Sequence, residues 1–369
     1  MNECSGSRLT HFDQRTSPVK SIKSRDGDVI DCVHISNQPA SDQPLGSNND
    51  LQKRLSNPIN AKKSIPQAWH LEGSCPDGTI AVKRTTQEDR IRANSINSFD
   101  VNSMHQNSFQ ATSNTDTSAT STGFHQYATA YVIGEEYYGA MATMNLWAPK
   151  VRPNEFSSSK IWVIGGSGSD LNVIVAGWHV YPGLYGDNKT RFYTYWTGDN
   201  FQSTGCYNLL CQGFVQTSNK FALGAPFPEL SEIDGSQSEF TVIIFKGKNG
   251  WVLQFDDFVL GYWPFSLFTN LKDNASWIEW GGLILNSNIG GKQSTTTQMG
   301  SGHFPEEGLK RAGYMRQLQV FNESLYSRRL DSPIAMASHP NCYNIKLSKN
   351  KVYGDFIVYG GPGKNPKCP

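Results

Sequence analysis

Alternating residues between positions 174 and 181 indicate a β-strand at the centre of the chain. Successive side chains of a strand point to opposite faces of its sheet. The two expected faces are Val175, Gly177, His179 and Tyr181 on one side, and Ile174, Ala176, Trp178 and Val180 on the other. A second run of aromatic and β-branched residues at 191–197 follows after a polar turn at 184–189. This stretch therefore predicts a long antiparallel hairpin.

Short strand-like runs continue through the rest of the chain, and turn residues separate them about every ten positions. They lie at 127–133, 138–146, 159–164, 220–223, 240–245, 250–255, 258–263, 275–285, 314–321, 343–347 and 355–359. Asn249-Gly250 supplies a positive-φ turn between two of them. Helical periodicity is almost absent, with a turn or two expected at 265–271 and 305–310. The pattern predicts an all-β protein, an antiparallel sandwich of two stacked sheets.

The first third of the chain has a different character. Residues 1–27 are polar and patternless, which predicts disorder. Residues 28–97 hold extended runs at 29–35 and 79–83 but few apolar side chains, so this segment would depend on a disulfide or on docking for its stability. Residues 98–124 are rich in Ser, Thr, Asn and Gln and predict an exposed linker that is open to a processing cut. The sandwich would span 125–369.

Charge and composition exclude several classes of protein. The net charge is +1 with 18% charged residues, which argues against a nucleic-acid-binding stripe or a polybasic membrane anchor. The chain contains no apolar run of about 18 residues that would span a membrane. The first residues lack the apolar core of a signal peptide. The 34 glycines and 12% aromatic residues suit a β-rich protein with many tight turns.

Several motifs resemble the plant neprosin family, glutamic peptidases that carry an N-terminal activation peptide. These motifs are Leu-Asn-Val-Ile-Val-Ala-Gly-Trp at 171–178, Glu-Trp-Gly-Gly at 279–282, Thr-Gln-Met-Gly-Ser-Gly-His-Phe-Pro at 297–305 and Tyr-Gly-Gly-Pro-Gly at 359–363. Upstream, Val-Ile-Asp-Cys-Val-His-Ile-Ser-Asn-Gln-Pro at 29–39 is similar to the family's activation peptide. The resemblance implies an endopeptidase that cuts after proline at acidic pH and needs no metal or organic cofactor.

The resemblance also implies where the two catalytic glutamates belong. The first stands in a phrase like Ile-Glu-Ala-Gly-Trp, and the second directly follows Trp-Gly-Gly. Here those positions hold Val175 and Leu283. Neither side chain accepts a proton or donates a hydrogen bond. Loss of one general base or oxyanion donor costs on the order of a hundredfold in rate, so the sequence predicts a homologue that has lost catalysis and still binds extended, proline-containing peptides.

Two other functions remain open at this point. In the first, His179 and Glu279 replace the missing acids, because each lies four residues from one of the two positions on the same expected strand face. In the second, groove aromatics at Tyr181, Tyr195 and Trp277 bind cell-wall carbohydrate. No metal site is predicted, since His303 has a proline between it and the neighbouring glutamates and no second histidine close by.

The cysteines and the glycosylation sequons indicate in which cellular compartment the protein would fold. Cys206 and Cys211 would clip a local loop, Cys342 and Cys368 would hold the C-terminal tail, and Cys32 and Cys75 would close the upstream segment. Reduced cysteines are the alternative. Glycosylation sequons begin at Asn188, Asn274 and Asn322, in turn-like contexts. Secretion or vacuolar targeting is implied by the resemblance, and the oligomeric state is not predicted.

Overall fold

The computed structural model describes residues 17–38, 65–93, 96, 124–288 and 293–369. Its strands are β1 (Lys20–Lys23), β2 (Val29–His34), β3 (Thr79–Lys83), β4 (Phe124–Tyr137), β5 (Gly139–Asn145), β6 (Ser157–Gly165), β7 (Asn172–Val180), β8 (Arg191–Thr197), β9 (Cys206–Tyr207), β10 (Val215–Gln216), β11 (Glu239–Lys246), β12 (Gly250–Phe255), β13 (Phe258–Pro264), β14 (Ala275–Asn286), β15 (Gly313–Phe321), β16 (Ser327–Arg328), β17 (Ile334–Ala337), β18 (Asn344–Asn350) and β19 (Gly354–Gly360).

Helical segments are short. Residues 87–93 form a helix, and Pro182–Tyr185 form a single turn of α-helix before β8. The 3₁₀ turns are Ile35–Asn37, Ala68–Leu71, Gly168–Asp170, Phe265–Leu267 and Pro305–Glu307. The last two fall where the sequence predicts a turn or two of helix.

In the part of the chain that the structure describes, the strands form sheets of three, nine and seven strands. The three-stranded sheet has the order β1-β2-β3. The nine-stranded sheet runs β10-β13-β12-β11-β5-β15-β19-β18, with β16 beside β15, and the seven-stranded sheet runs β17-β4-β14-β6-β7-β8-β9. The paired strands are antiparallel throughout. The predicted all-β class with stacked antiparallel sheets is confirmed.

The two large sheets pack through a core of aromatic and aliphatic side chains. Trp178 of β7 and Trp280 of β14 are fully buried in it. The indole N–H of Trp178 donates to the Asn145 carbonyl at 2.8 Å, and that of Trp280 donates to the Met141 carbonyl at 3.2 Å. Both acceptors belong to β5 of the nine-stranded sheet. Because side chains alternate along a strand, the neighbours of these tryptophans in sequence point to the outer face of the seven-stranded sheet.

The three-stranded sheet docks on the loop that follows β10. The Gln67 side chain donates to the Ala222 carbonyl at 2.9 Å and accepts from the Ala222 N–H at 2.8 Å. Gln38 and Gln216 make a similar exchange, with distances of 3.0 and 2.8 Å. The Cys32–Cys75 disulfide lies inside the small domain. The sequence analysis expects this apolar-poor segment to depend on a disulfide or on docking, and the structure contains both.

Some expectations were wrong. Residues 20–23 form β1, although the sequence predicts disorder through residue 27; pairing with β2 and the burial of Ile22 order this polar strand. Residues 220–223 form no regular strand and make one isolated bridge, Leu223 to Val82. The helix at 87–93 and the short strands β9, β10, β16 and β17 were not predicted. Residues 1–16 and nearly all of the expected linker, 98–123, lie outside the described residues, while Phe124 already belongs to β4.

Candidate functional site

The outer face of the seven-stranded sheet is the face that points away from the nine-stranded sheet, and three of its strands position the expected site. β6 lies between β14 and β7. The register sets three rows across these strands: Glu279, Trp162 and Val175; then Gly281, Lys160 and Gly177; then Leu283, Ser158 and His179. The four residues at the ends of the outer rows, Glu279, Val175, Leu283 and His179, form the corners of a square on the sheet face, and Lys160 lies at its centre. Val175 and Leu283 occupy opposite corners of this square.

Glycines flank the central lysine on both sides. Gly281 has a φ of +145°, a backbone conformation that residues other than glycine rarely adopt. A Cβ atom at Gly281 would collide with the Ala128 carbonyl, and one at Gly177 would collide with the Ser159 carbonyl. Close strand packing therefore requires both glycines.

Val175 and Leu283 converge on one cavity of the outer face. Their side chains are only 3% and 1% exposed. The cavity has a volume of about 20 Å³, which is room for about one water molecule. Its walls are Phe156, Lys160, Trp162, Val175, His179, Tyr193, Tyr195, Phe201, Tyr207 and Leu283. The two positions that the motifs single out thus belong to one site, and both present hydrocarbon to it.

Lys160 brings a positive charge into this apolar surrounding. The residue is 3% exposed, and its Nζ lies 3.7 Å from the ring centroid of Trp162. This is a cation–π contact. The indole N–H of Trp162 is also buried, and it has no hydrogen-bond partner among the described residues. Lys160 and Trp162 therefore form a contacting pair in the cavity wall.

Glu279 is buried on the same face but does not line the cavity. Burial raises the pKa of this carboxyl from its ordinary 4.5 to about 7, and the positive charge of Lys160 and the Thr129 and Trp277 side chains oppose the rise. Desolvation favours the neutral form of a carboxyl group. Glu279 is therefore largely protonated in acidic solution.

His179 serves as a packed, hydrogen-bonded side chain. Its Nε2 is hydrogen-bonded to the Tyr185 hydroxyl at 2.9 Å, and its ring stacks on Tyr193 with centroids 3.8 Å apart. The Tyr185 hydroxyl accepts a further hydrogen bond from the Asn208 side chain at 3.0 Å. Burial, with Arg191 and Lys160 nearby, lowers the pKa of His179 well below its ordinary value. A ring that stays neutral is suited to holding Tyr185 in place.

The structure does not place His179 beside Glu279. The two residues lie on β7 and β14, which β6 separates, and they occupy the corners of the square that Val175 and Leu283 leave free. Only His179 lines the cavity. The expected substitute pair thus shares a sheet face with the two aliphatic positions without forming one unit.

The expected aromatic groove is only partly assembled. Tyr195 lines the cavity and packs on Tyr207 with ring centroids 4.7 Å apart. Tyr181 does not line the cavity and instead packs on Phe156 at 5.1 Å. Trp277 lies towards the other end of β14, against Tyr131 at 4.9 Å.

Sequence reasoning missed six residues of the cavity wall. They are Phe156, Lys160, Trp162, Tyr193, Phe201 and Tyr207. The available signal was the alternation along 158–162, which puts Lys160 and Trp162 on the same side of the predicted strand.

The N-terminal segment packs at one end of the outer face. Ala93 and Ile96 are buried in the same apolar cluster as Val175 and Leu283. The Arg92 side chain donates to the Leu184 carbonyl at 3.4 Å, in the turn between β7 and β8. The segment that leads to the expected linker therefore contributes to the surroundings of the site.

The cysteines pair as the sequence suggests, and the sequons lie at or near the surface. Disulfides join Cys206 to Cys211 and Cys342 to Cys368, in addition to Cys32–Cys75. Asn188 and Asn322 are exposed, and Asn274 is half-buried. Among the described residues, no cluster of three His, Cys, Asp or Glu side chains could hold a metal ion. No helix in the same ranges is both long and apolar enough to cross a bilayer.

The fold and the site define an antiparallel β-sandwich with a docked N-terminal domain and a site on one outer sheet face. A family model described as Neprosin matches residues 153–362, and one described as Neprosin activation peptide matches residues 21–131. The first match covers more than half of the 369 residues. The chain belongs to the neprosin family. The activation-peptide match extends past the expected linker into β4.

Solved structures with a similar arrangement are distant. Scytalido-glutamic peptidase with a peptide-based transition-state analogue is 11% identical with a TM-score of 0.36, over 65% of this chain and 100% of that one. SCP-B of the Eqolisin family, in complex with the tripeptide Ala-Ile-His, is 9% identical with a TM-score of 0.33, over the same shares. Xenopus laevis galectin-Ib is 13% identical with a TM-score of 0.23, over 44% and 96%. All three TM-scores are below 0.5, so these matches do not bear on function.

Proposed function

We propose that this chain is a catalytically inactive member of the neprosin family that binds extended, proline-containing peptides. One observation is the main support for the loss of catalysis. The two positions that the motifs assign to catalytic acids line the same cavity, and both hold aliphatic side chains, Val175 and Leu283.

The chemistry of peptide hydrolysis supports this conclusion. A water molecule that attacks an amide needs a general base, and the tetrahedral oxyanion needs a donor within hydrogen-bonding distance. Val175 and Leu283 supply neither. His179 is engaged with Tyr185, and Glu279 does not line the cavity.

Peptide binding is supported by the aromatic walls and requires local movement. Rigid aromatic side chains such as Tyr195 and Tyr207 suit apolar ligand groups. A cavity of about 20 Å³ admits no peptide side chain, so aromatic side chains or the segment around Ala93 and Ile96 must shift for a ligand to enter.

Restoration of the acids tests the inactive state. The full chain and Val175→Glu with Leu283→Glu are incubated at acidic pH with a proline-containing peptide, and the products are identified by mass spectrometry. We expect no cleavage by the unmodified protein and measurable cleavage after proline by the double variant. Val173→Glu with Leu285→Glu is the matched control, because these residues share the sheet face but do not line the cavity. Robust cleavage by the unmodified protein overturns the proposal.

A second candidate rests on Glu279. Its pKa of about 7 is suited to a general acid or base, as in a peptidase with an altered acid pair. If unmodified protein cleaves the peptide and Glu279→Gln abolishes the cleavage, this second function replaces the first.

The domain division and compartment belong to the same proposal. Residues 28–97 would be a separable domain, 98–124 its linker and 125–369 the sandwich, in a protein secreted or sent to the vacuole. Three disulfides and the exposed sequon asparagines Asn188 and Asn322 support an oxidising compartment. Glycopeptide mapping of protein from its native source tests this, and unmodified sequons with reduced cysteines would contradict it.

A further inference from the structure

A second cavity lies between the N-terminal domain and the sandwich. Its volume is about 430 Å³, within the range of about 300–1,000 Å³ that is usual for small-molecule sites, and such sites often lie between domains. Its walls come from residues 17–90 on one side and from residues 184–224 on the other. A ligand in this cavity would therefore contact both parts of the chain.

Buried apolar side chains form the inner wall of this interdomain cavity. Val33 of β2 and Val82 of β3 belong to the core that the N-terminal domain shares with the sandwich. Leu223 faces them from the sandwich and makes an isolated backbone bridge to Val82. This wall offers apolar surface to a ligand from both sides of the docking interface.

Charged side chains also line the cavity, and protein cations neutralise both carboxylates among them. The Arg84 guanidinium donates to the two oxygens of Asp31 at 2.8 and 2.6 Å. Asp89 forms an ion pair with Arg92 and lies 3.9 Å from the Lys83 ammonium. The carboxylates of the wall therefore leave little negative charge to repel an anion.

Arg90 is a further cation in the same wall. It belongs to the helix at 87–93, whose start is fixed by reciprocal hydrogen bonds. The Asp89 N–H donates to the Thr86 hydroxyl at 3.1 Å, and the Thr86 N–H donates to the Asp89 carboxylate at 2.9 Å. Arg90 is half-buried, and its guanidinium has no ion pair or hydrogen bond with any residue that the structure describes. The cavity thus joins an apolar wall to a guanidinium that no described carboxylate neutralises.

We propose that the interdomain cavity binds a small organic carboxylate with an apolar body. The anion pairs with Arg90, because a guanidinium binds a carboxylate through two parallel N–H···O bonds. The apolar body packs on Val33 and Val82. Since both parts of the chain form the walls, the ligand binds the docked arrangement and stabilises it by mass action. This inference does not depend on the proposed function, because the cavity of Val175 and Leu283 has different walls.

Matched acids and amides test the requirement for charge. The probes are hydrocinnamate and isocaproate, each compared with its primary amide, and their binding to the full chain is measured by isothermal titration calorimetry at neutral pH. Each acid should bind about tenfold more tightly than its amide, the effect of one charge-assisted contact. The acids should also slow proteolysis within residues 65–93, because the complete cavity exists only in the docked arrangement.

Variants assign the binding to this cavity. Arg90→Met removes the guanidinium and should lower the affinity for each acid to that for its amide, while Arg90→Lys should retain part of the preference. Arg25→Met is the matched control, because Arg25 is an exposed residue of the same domain outside the cavity wall. Thr85→Trp places an indole in the cavity wall and should abolish binding of acids and amides alike. Thermal unfolding checks that each variant is folded.

The comparison of acid and amide in the unmodified protein needs no variant. Binding of neither acid overturns the proposal, and equal binding of the acids and their amides contradicts an anion site. Acid binding that survives Thr85→Trp, or a preference for the acid that survives Arg90→Met, would place the probe elsewhere on the protein and also overturn the assignment.

Discussion

The buried carboxyl of Glu279 should make the stability of this protein depend on pH in a defined direction. Burial raises its folded-state pKa from 4.5 to about 7. Between these values the folded protein holds a proton that the unfolded chain releases, so stability falls as pH rises from about 4.5 to about 7 and is then constant. The interval corresponds to about 3 kcal/mol in the free energy of unfolding.

Glu279→Gln removes this dependence because the amide does not titrate. Urea unfolding of both proteins at about pH 4.5 and about pH 8 gives the measurement, and the fall between the two pH values should be about 3 kcal/mol smaller in the variant. His179 contributes with the opposite sign: its lowered pKa removes stability as pH falls below its ordinary value of 6.5. That contribution is common to both proteins and cancels in the comparison.

Glu306→Gln is the matched control. Glu306 is exposed and paired with Lys346 at 3.2 Å on the surface, so its variant should follow the unmodified protein. If Glu279→Gln and the unmodified protein lose the same free energy between the two pH values, Glu279 is not protonated in the folded state and the reasoning from burial fails.

The remaining predictions concern the docked N-terminal domain. The buried Arg191 guanidinium forms ion pairs with Asp28 at 2.9 Å and with Asp187, so Arg191→Met should lower the free energy of unfolding by about 3–5 kcal/mol in urea. Arg25→Met is the exposed control and should change the free energy of unfolding by no more than about 0.5 kcal/mol. Equal losses in the two variants would contradict a stabilising role for the Arg191 ion pairs. Joint replacement of Cys32 and Cys75 by serine should lower the free energy of unfolding by about 2–4 kcal/mol and should speed proteolysis within residues 65–93. An unchanged rate of proteolysis would show that docking alone orders the domain.

The strands of the large sheets could be predicted from sequence because their patterns are long. The alternation at 174–181 correctly placed Trp178 in the core and Val175 on the opposite face. The Trp-Gly-Gly motif did the same for Trp280 and Leu283. The alternation of side chains along β7 and β14 was enough to predict that Val175 and Leu283 lie on the face opposite the two tryptophans.

The centre of the site could not be predicted in this way. Lys160 lies between Gly177 and Gly281 only because β6 pairs with both β7 and β14, and these pairings join residues far apart in the sequence. The same non-local register separates His179 from Glu279. Strands such as β9 and β10 have two residues each, too few for a periodic pattern. Pairing with neighbours decides such strands, as it does for β1.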